Sequence, residues 1–339
     1  MNFIVKPQKL RERAVDTIFN IYRGKNIFPI TYFNNEGILN EISKCMEKQI
    51  EWDGETLSFK YLQGVNLCKF LFPNLSDVEY ATSNDKNSLW KKFHNDHKLR
   101  RSVKLVLDMG RVVTPTELRN KLELIGGNVA TNFHPMKAKA IFEKYCPVNG
   151  VIYDFSCGFG GRMLGALSSS NNYTYIGVEP CYETLVHLKE LGQYIEQVSG
   201  RVNSYQIRRK GSEQFSDLDN CVDFSFSSPP YFNLEIYSND ESQCYNKFNS
   251  IDLWFEGYVL PTIKNIHKAL KYGAYYAVNI ADFNIGGKRV NLVDRWLDYS
   301  LRCGFEYVEK VNMKVEVRSG HGHNRAEDKK EGIYVFQKV

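Results

Sequence analysis

The sequence predicts a doubly wound α/β fold: a mostly parallel sheet with an antiparallel closing strand, preceded by a mainly helical extension. Three observations predict it. From residue 150 onward, short apolar runs alternate with segments of helical spacing; a glycine turn joins the first run to its helix; and two further apolar runs close the chain. The 339 residues, 43% of them apolar and 24% charged, are enough for two domains, or one large one with an extension, with a real core. The expected division is 1–130 for the extension and 131–339 for the sheet domain.

In the extension, ILNEISKCMEKQI (38–50) has helical spacing. TPTELRNKLELI (114–125) starts a helix on Thr114, with Pro115 and Glu117 in its first turn. GGNVATNF (126–133) reads as a linker. Then follow a strand VIYDF (151–155), the turn SCGFGG and a helix RMLGAL. A second strand TYIGVE (174–179) leads into the helix PCYETLVHLKELGQYI (180–195). VNSYQIR (202–208) and VDFSFS (222–227) are the third and fourth strands. The long helix 251–270 contains Pro261, which predicts a kink or break. GAYYAVNIA (273–281) is a fifth strand, 290–304 a helix ended by Gly304, and 305–317 with 332–339 a closing pair of strands.

The charge is uneven. Residues 1–130 hold 20 Lys and Arg against 15 Asp and Glu, whereas residues 131–339 hold 24 of each. The densest basic stretch is Lys91, Lys92, Lys98, Arg100, Arg101 and Lys104, beside Trp90 and Phe93. Cations interleaved with aromatics suit a nucleic-acid backbone; the same pattern also describes a solvated helix face. Eight cysteines without a CxxC pair fit a reducing cytoplasm, and neither a secretory leader nor a membrane span is expected. His94 and His97 lack a third ligand nearby in sequence and are expected to be structural, as are His321 and His323.

Asp154-Phe-Ser-Cys-Gly158-Phe-Gly160-Gly161 lies between a strand and a helix, where Gly158 and Gly160 let the backbone approach a ligand closely. The next strand ends in Glu179, about twenty residues on, where an acid accepts hydrogen bonds from a ribose diol. Together they indicate a nucleoside-containing cofactor, either a dinucleotide or S-adenosylmethionine. The fourth strand runs into Ser227-Ser228-Pro229-Pro230-Tyr231-Phe232, a stiff apolar wall at the carboxyl end of a central strand.

In order, DFSCGFGG, YIGVEP and SSPPYF resemble the motifs of the amino-group DNA methyltransferases, and FHPMKAKAIFEKYCP (133–147) is similar to the cofactor motif that precedes the glycine turn. The resemblance covers about 133–339. It implies a Rossmann-like methyltransferase sheet, S-adenosylmethionine as cofactor, and adenine N6 or cytosine N4 of DNA as target, of the kind restriction–modification uses. An RNA amino-group methyltransferase is the alternative, followed by an inactive nucleic-acid-binding relative or a protein-amide methyltransferase. The implied cofactor residues are His134, Pro135, Lys137, Asp154, Ser156, Cys157, Gly158, Gly160, Glu179, Pro180 and Ser212. Ser228, Pro229, Pro230 and Tyr231 are the implied catalytic residues. Phe232, Lys91, Lys92, Arg100, Arg101 and Arg325 are expected to meet nucleic acid. The family usually has Pro and Phe where this chain has Phe155 and Ser156, and the short spacing from the glycine turn to SPPY leaves no room there for a large recognition domain.

An exocyclic base amine is a poor nucleophile because its lone pair is delocalised into the ring. Acceptors at its N–H groups, here Ser228 Oγ and the Pro229 carbonyl, favour a pyramidal nitrogen. Tyr231 and Phe232 would stack on a base turned out of the duplex. Methylation at cytosine carbon 5 needs a cysteine nucleophile, which the fourth-strand turn lacks; Pro180-Cys181 sits at the cofactor end. Cys157 is expected to be a small filler. Residues 233–250 read as a lid over the target.

Overall fold

The computed structural model describes residues 7–52, 55–58, 61–81, 86–285, 288–314 and 330–339. Arg325, His321 and His323 lie outside the described residues. The strands of the large sheet are numbered here β1 (Val151–Asp154), β2 (Thr174–Val178), β3 (Tyr205–Arg208), β4 (Val222–Ser227), β5 (Leu270–Ile280), β6 (Phe305–Lys314) and β7 (Lys330–Lys338). Their spatial order is β6-β7-β5-β4-β1-β2-β3, with the two-residue strand Thr56–Leu57 beyond β6. β1 to β5 pair in parallel. β7 lies antiparallel between β5 and β6. The sequence-derived fold is therefore the observed one: short apolar runs became strands, and helices follow β1, β2, β4 and β5.

The sheet is buried on both faces. Helices Pro135–Tyr145, Gly161–Leu167 and Tyr182–Ser199 contribute Phe142, Leu164 and Leu188 to a core with Phe224 and Phe226 of β4. Helices Leu260–Ala269 and Val293–Arg302 contribute Ile263, Ile266 and Trp296 to the opposite core with Tyr153, Val222 and Tyr276. A fully buried apolar side chain of this size stabilises by roughly 1.5–3 kcal/mol, which fixes which face of each strand points inward.

The packing does not divide at residue 130. Ile38, Ile42, Leu67, Leu71, Phe72 and Val78 belong to the same core as Phe142 and Phe224. Thr56–Leu57 extends the sheet by pairing in parallel with β6. A separate core joins Phe19, Leu89, Phe93, Leu99, Val103, Leu118 and Leu122. The helices Pro7–Lys25, Leu89–His94, Asp96–Asp108 and Pro115–Leu124 build it. The expected 1–130 unit is thus two parts: 35–78 completes the sheet domain, and the helical cluster comes from the segments on either side. Thr114 caps its helix as expected, accepting from the Glu117 N–H at 3.2 Å.

Candidate active site at the carboxyl ends of β1, β2 and β4

Strand order reverses between β1 and β4, and ligands of doubly wound sheets lie at the carboxyl ends beside such a reversal. The glycine turn follows β1 and the SSPPYF corner follows β4. Gly158 and Gly160 have φ of 56° and 74°, a region that costs a side-chain-bearing residue strain. A Cβ on Gly161 would come 2.0 Å from the Phe133 carbonyl oxygen, so the segment before helix Pro135–Tyr145 packs directly on the turn. Asn132 Nδ2 also donates to Phe159 O at 2.6 Å.

The turn is held from inside by an ion pair. Asp154 Oδ2 accepts from Arg162 Nε at 2.8 Å and from Tyr175 OH at 2.6 Å, and Oδ1 accepts from the Ser156 N–H at 3.2 Å. Arg162 also donates to Ser156 O. The Asp154 and Arg162 side chains are 0% and 5% exposed, so this pair is a structural staple rather than a solvent-facing charge. Sequence reasoning missed Arg162; its signal was a lone cation in an otherwise apolar helix, eight residues after an acid.

Glu179 meets the turn from β2. Its Oε2 accepts from the Gly158 N–H at 3.1 Å and its Oε1 from the Cys181 N–H at 2.9 Å. Burial pushes its pKa up to about 7, against the lowering effect of those two N–H groups. A carboxylate has about four acceptor positions, so two remain for a diol. Pro180 lies partly exposed beside it. Cys157 is buried, and its thiol pKa is raised well above normal by burial, which fits the filler reading. Both ring nitrogens of His134 are buried without a partner among the described residues, and burial lowers its pKa to about 4. An orphaned neutral imidazole next to the segment that packs on the turn suits a polar ligand.

Three expected cofactor residues make contacts within the protein. Lys137 Nζ donates to Lys314 O at 2.9 Å, at the carboxyl end of β6, which runs in the same direction as β5. Ser212 Oγ pairs with Thr262 Oγ1 at 2.9 Å, and its carbonyl accepts from Asn265 Nδ2 at 2.9 Å, which ties it to helix Leu260–Ala269. Pro135 is buried, its carbonyl close-packed on Gly165.

The corner touches the turn. Ser227 Oγ donates to Ser156 O at 3.3 Å, joining residues 71 apart in sequence. Ser156 Oγ lies 3.2 Å from Tyr258 OH. Tyr258 stands on a π turn, Phe255–Val259, separated from Pro261 by Leu260. Proline has no N–H to continue the α ladder, and the Leu260 N–H bonds Phe255 O five residues back. The predicted disruption is thus a local widening, and it aims Tyr258 at the site.

Ser228 and Pro230 are partly exposed and Pro229 is buried. Tyr231 OH donates to Asn279 O, at the end of β5, at 3.2 Å. Phe232 has φ of 53°, unusual for a bulky residue, and its ring lies 6.0 Å from that of Trp254. The segment after it is tied down: Glu235–Ile236 pairs antiparallel with Glu79–Ala81, which pairs with Lys86–Asn87. The expected lid is therefore joined to the extension by a three-stranded sheet.

The basic stretch is largely spent on the protein itself. Lys92 is fully buried, its Nζ donating to Glu123 O and Gly127 O at 3.2 and 2.7 Å, so it cannot meet a phosphate. Lys91 pairs with Glu79 at 2.5 Å. Arg100 pairs with Asp16 and lies 3.8 Å over the Phe19 ring. Arg101 is exposed. Among the described residues, no group of His, Cys, Asp and Glu could hold a metal ion, and no helix is long and apolar enough to cross a membrane.

No family model and no curated protein matches the chain. Among solved structures, it is similar to a SAM-dependent methyltransferase of Methanosarcina mazei (15% identity over 59% of this chain and 97% of that one, TM-score 0.39). It is also similar to the [4+2]-cyclase SpnF (13%, 84% and 98%, TM-score 0.43). TrmN of Thermus thermophilus is a third (14%, 64% and 51%, TM-score 0.40). The strand order and the antiparallel β7, read from the protein directly, are what define its fold.

Proposed function

We propose that the protein is an S-adenosylmethionine-dependent methyltransferase acting on the exocyclic amine of adenine or cytosine in DNA. One observation carries the reading: the Ser227–Ser156 hydrogen bond sets the SSPPYF corner against a glycine turn whose neighbouring acid is Glu179. When bound, the cofactor supplies a methyl group activated by a sulfonium. Glu179 would accept from the ribose hydroxyls with its two remaining acceptor positions. His134 would gain the partner its ring lacks. Gly158 and Gly160 would let the donor lie close to the backbone. Ser228 Oγ and the Pro229 carbonyl would accept from the amine N–H groups, and the two prolines hold these acceptors stiffly, so the geometry is prepared before the reaction. Tyr231 and Phe232 would stack on the base. The proton released from the methylated amine goes to water.

The test is mass analysis of nucleosides from DNA and RNA incubated with the protein and methyl-labelled cofactor, repeated with Ser228→Ala. Labelled N6-methyladenine or N4-methylcytosine from DNA, reduced at least about tenfold in the variant with cofactor affinity intact, is the expected result. Label in RNA alone would change the substrate class. Transfer unaffected by the substitution would remove the corner from the chemistry.

A further inference from the structure

Beside the SSPPYF corner stands a group of acids and phenols that the proposed chemistry does not use. Glu235 follows the corner by three residues; the Leu234 N–H closes the intervening turn on Tyr231 O at 3.0 Å. Its strand sets it opposite Tyr80 of the extension. Tyr237 OH donates to Glu235 Oε2. Among the described residues, Oε1 has no hydrogen bond, and the residue is half-buried. Glu331, on β7, is near enough for its charge to raise the pKa values of Glu235, Tyr231 and Tyr80. Ser228 lies close enough to Tyr231 to ease its ionisation, so the group is continuous with the corner.

We infer that Glu235 contacts the target base, donating a hydrogen bond from its carboxyl group to the ring nitrogen adjacent to the reacting amine. The inference rests on the methyltransferase reading. Adenine N1 and cytosine N3 are both acceptors next to the amine, so an acid that reads either must carry a proton. Guanine N1 and thymine N3 carry hydrogens and would oppose such a donor, which makes Glu235 a device for choosing amine-bearing bases that present a ring acceptor. The surroundings keep the proton on. Burial and Glu331 push the Glu235 pKa up to about 7, more than the Tyr237 hydroxyl lowers it. The titratable groups facing it are Tyr237 on its own segment, Tyr80 on the paired strand, Tyr231 from the corner and Glu331 from β7. Below that value Glu235 donates; above it the carboxylate repels the ring nitrogen's lone pair.

The experiment measures kcat/KM for methyl transfer by the full chain at saturating cofactor. The substrate is an oligonucleotide carrying the position that the wild type methylates. That position holds either the natural base or its deaza analogue, 1-deazaadenine or 3-deazacytosine, which lacks the ring acceptor. The wild type should lose about tenfold on the analogue, and Glu235→Ala should lose about tenfold on the natural base with little further loss on the analogue. Glu235→Gln keeps a donor but no titration, so it should lose less than Glu235→Ala at pH 6 and lack the wild-type decline above pH 7. A wild type indifferent to the analogue overturns the inference, even if Glu235→Ala does not fold. So does a Glu235→Ala chain that falls equally on both substrates, which marks a structural role. A wild type that methylates no nucleic acid refutes the parent reading and takes this inference with it.

Discussion

At the end of β2, Glu179 combines two backbone hydrogen bonds with a pKa raised from 4.5 to about 7. Its ionised form accepts hydrogen bonds more strongly than its neutral form. In the proposed reading, cofactor affinity therefore rises as pH increases from 6 to 8. Glu179→Gln should weaken binding about tenfold at pH 8 and remove most of that pH dependence. Titration calorimetry at several pH values checks it; an unchanged slope in the variant would assign the titration elsewhere. The same shift acts with opposite sign on stability. The native state holds a proton that the unfolded chain releases, so the contribution of Glu179 is fully present below 4.5 and is lost as pH rises through about 7. Single residues of this kind were legible when a motif fixed their place. The Glu179 position follows from the spacing of the glycine turn, and Ser228 from the SPPY corner. Ser212 was not legible: its engagement with Thr262 depends on how a helix 50 residues later packs.

At the scale of elements, the short helix Gly161–Leu167 and the turn before it are kept in place by Arg162 rather than by length. Seven residues make a marginal helix, and its residues are buried throughout. Removing one partner of a buried pair leaves the other charge uncompensated. Arg162→Ala should thus destabilise the protein by roughly 3–5 kcal/mol, whereas exposed pairs such as Lys104–Asp108 contribute well under that. Denaturant unfolding of Arg162→Ala and of Lys104→Ala decides it, with equal losses counting against the staple. The strands and their order of appearance were readable because β1, β2 and β4 are apolar runs of four to six residues bounded by turn residues, which have few alternatives. Pro261 announced a disturbance in its helix, but the π turn and the aim of Tyr258 at Ser156 depend on tertiary contacts. The small sheet that fastens Glu235–Ile236 to Glu79–Ala81 joins residues some 155 apart, and strands of two or three residues leave no periodic trace.

For the whole molecule, net charge is a weaker guide than it looks, because sequence distance hides pairing. Asp16 meets Arg100 across 84 residues, Asp96 meets Arg23 across 73, and Glu79 takes Lys91. Lys92 was legible in retrospect: with Leu89 and Phe93 it shares one helical face, and that face is buried. These facts reassign the proposed nucleic-acid contact within the stretch. Arg101 is exposed, whereas Arg100→Glu would set a carboxylate against Asp16 and damage the helical cluster itself. Arg101→Glu is therefore the informative variant. If the helical cluster lies on the DNA backbone, its logarithmic salt slope should become shallower by about one unit per lost phosphate contact, with the unfolding midpoint unchanged. Lys92→Met should do the reverse, because it removes the Nζ hydrogen bonds to the Glu123 and Gly127 carbonyls: a loss of about 1–3 kcal/mol in stability and no change in slope. An identical salt slope in Arg101→Glu and the wild type would mean that DNA reaches the corner without touching this helix.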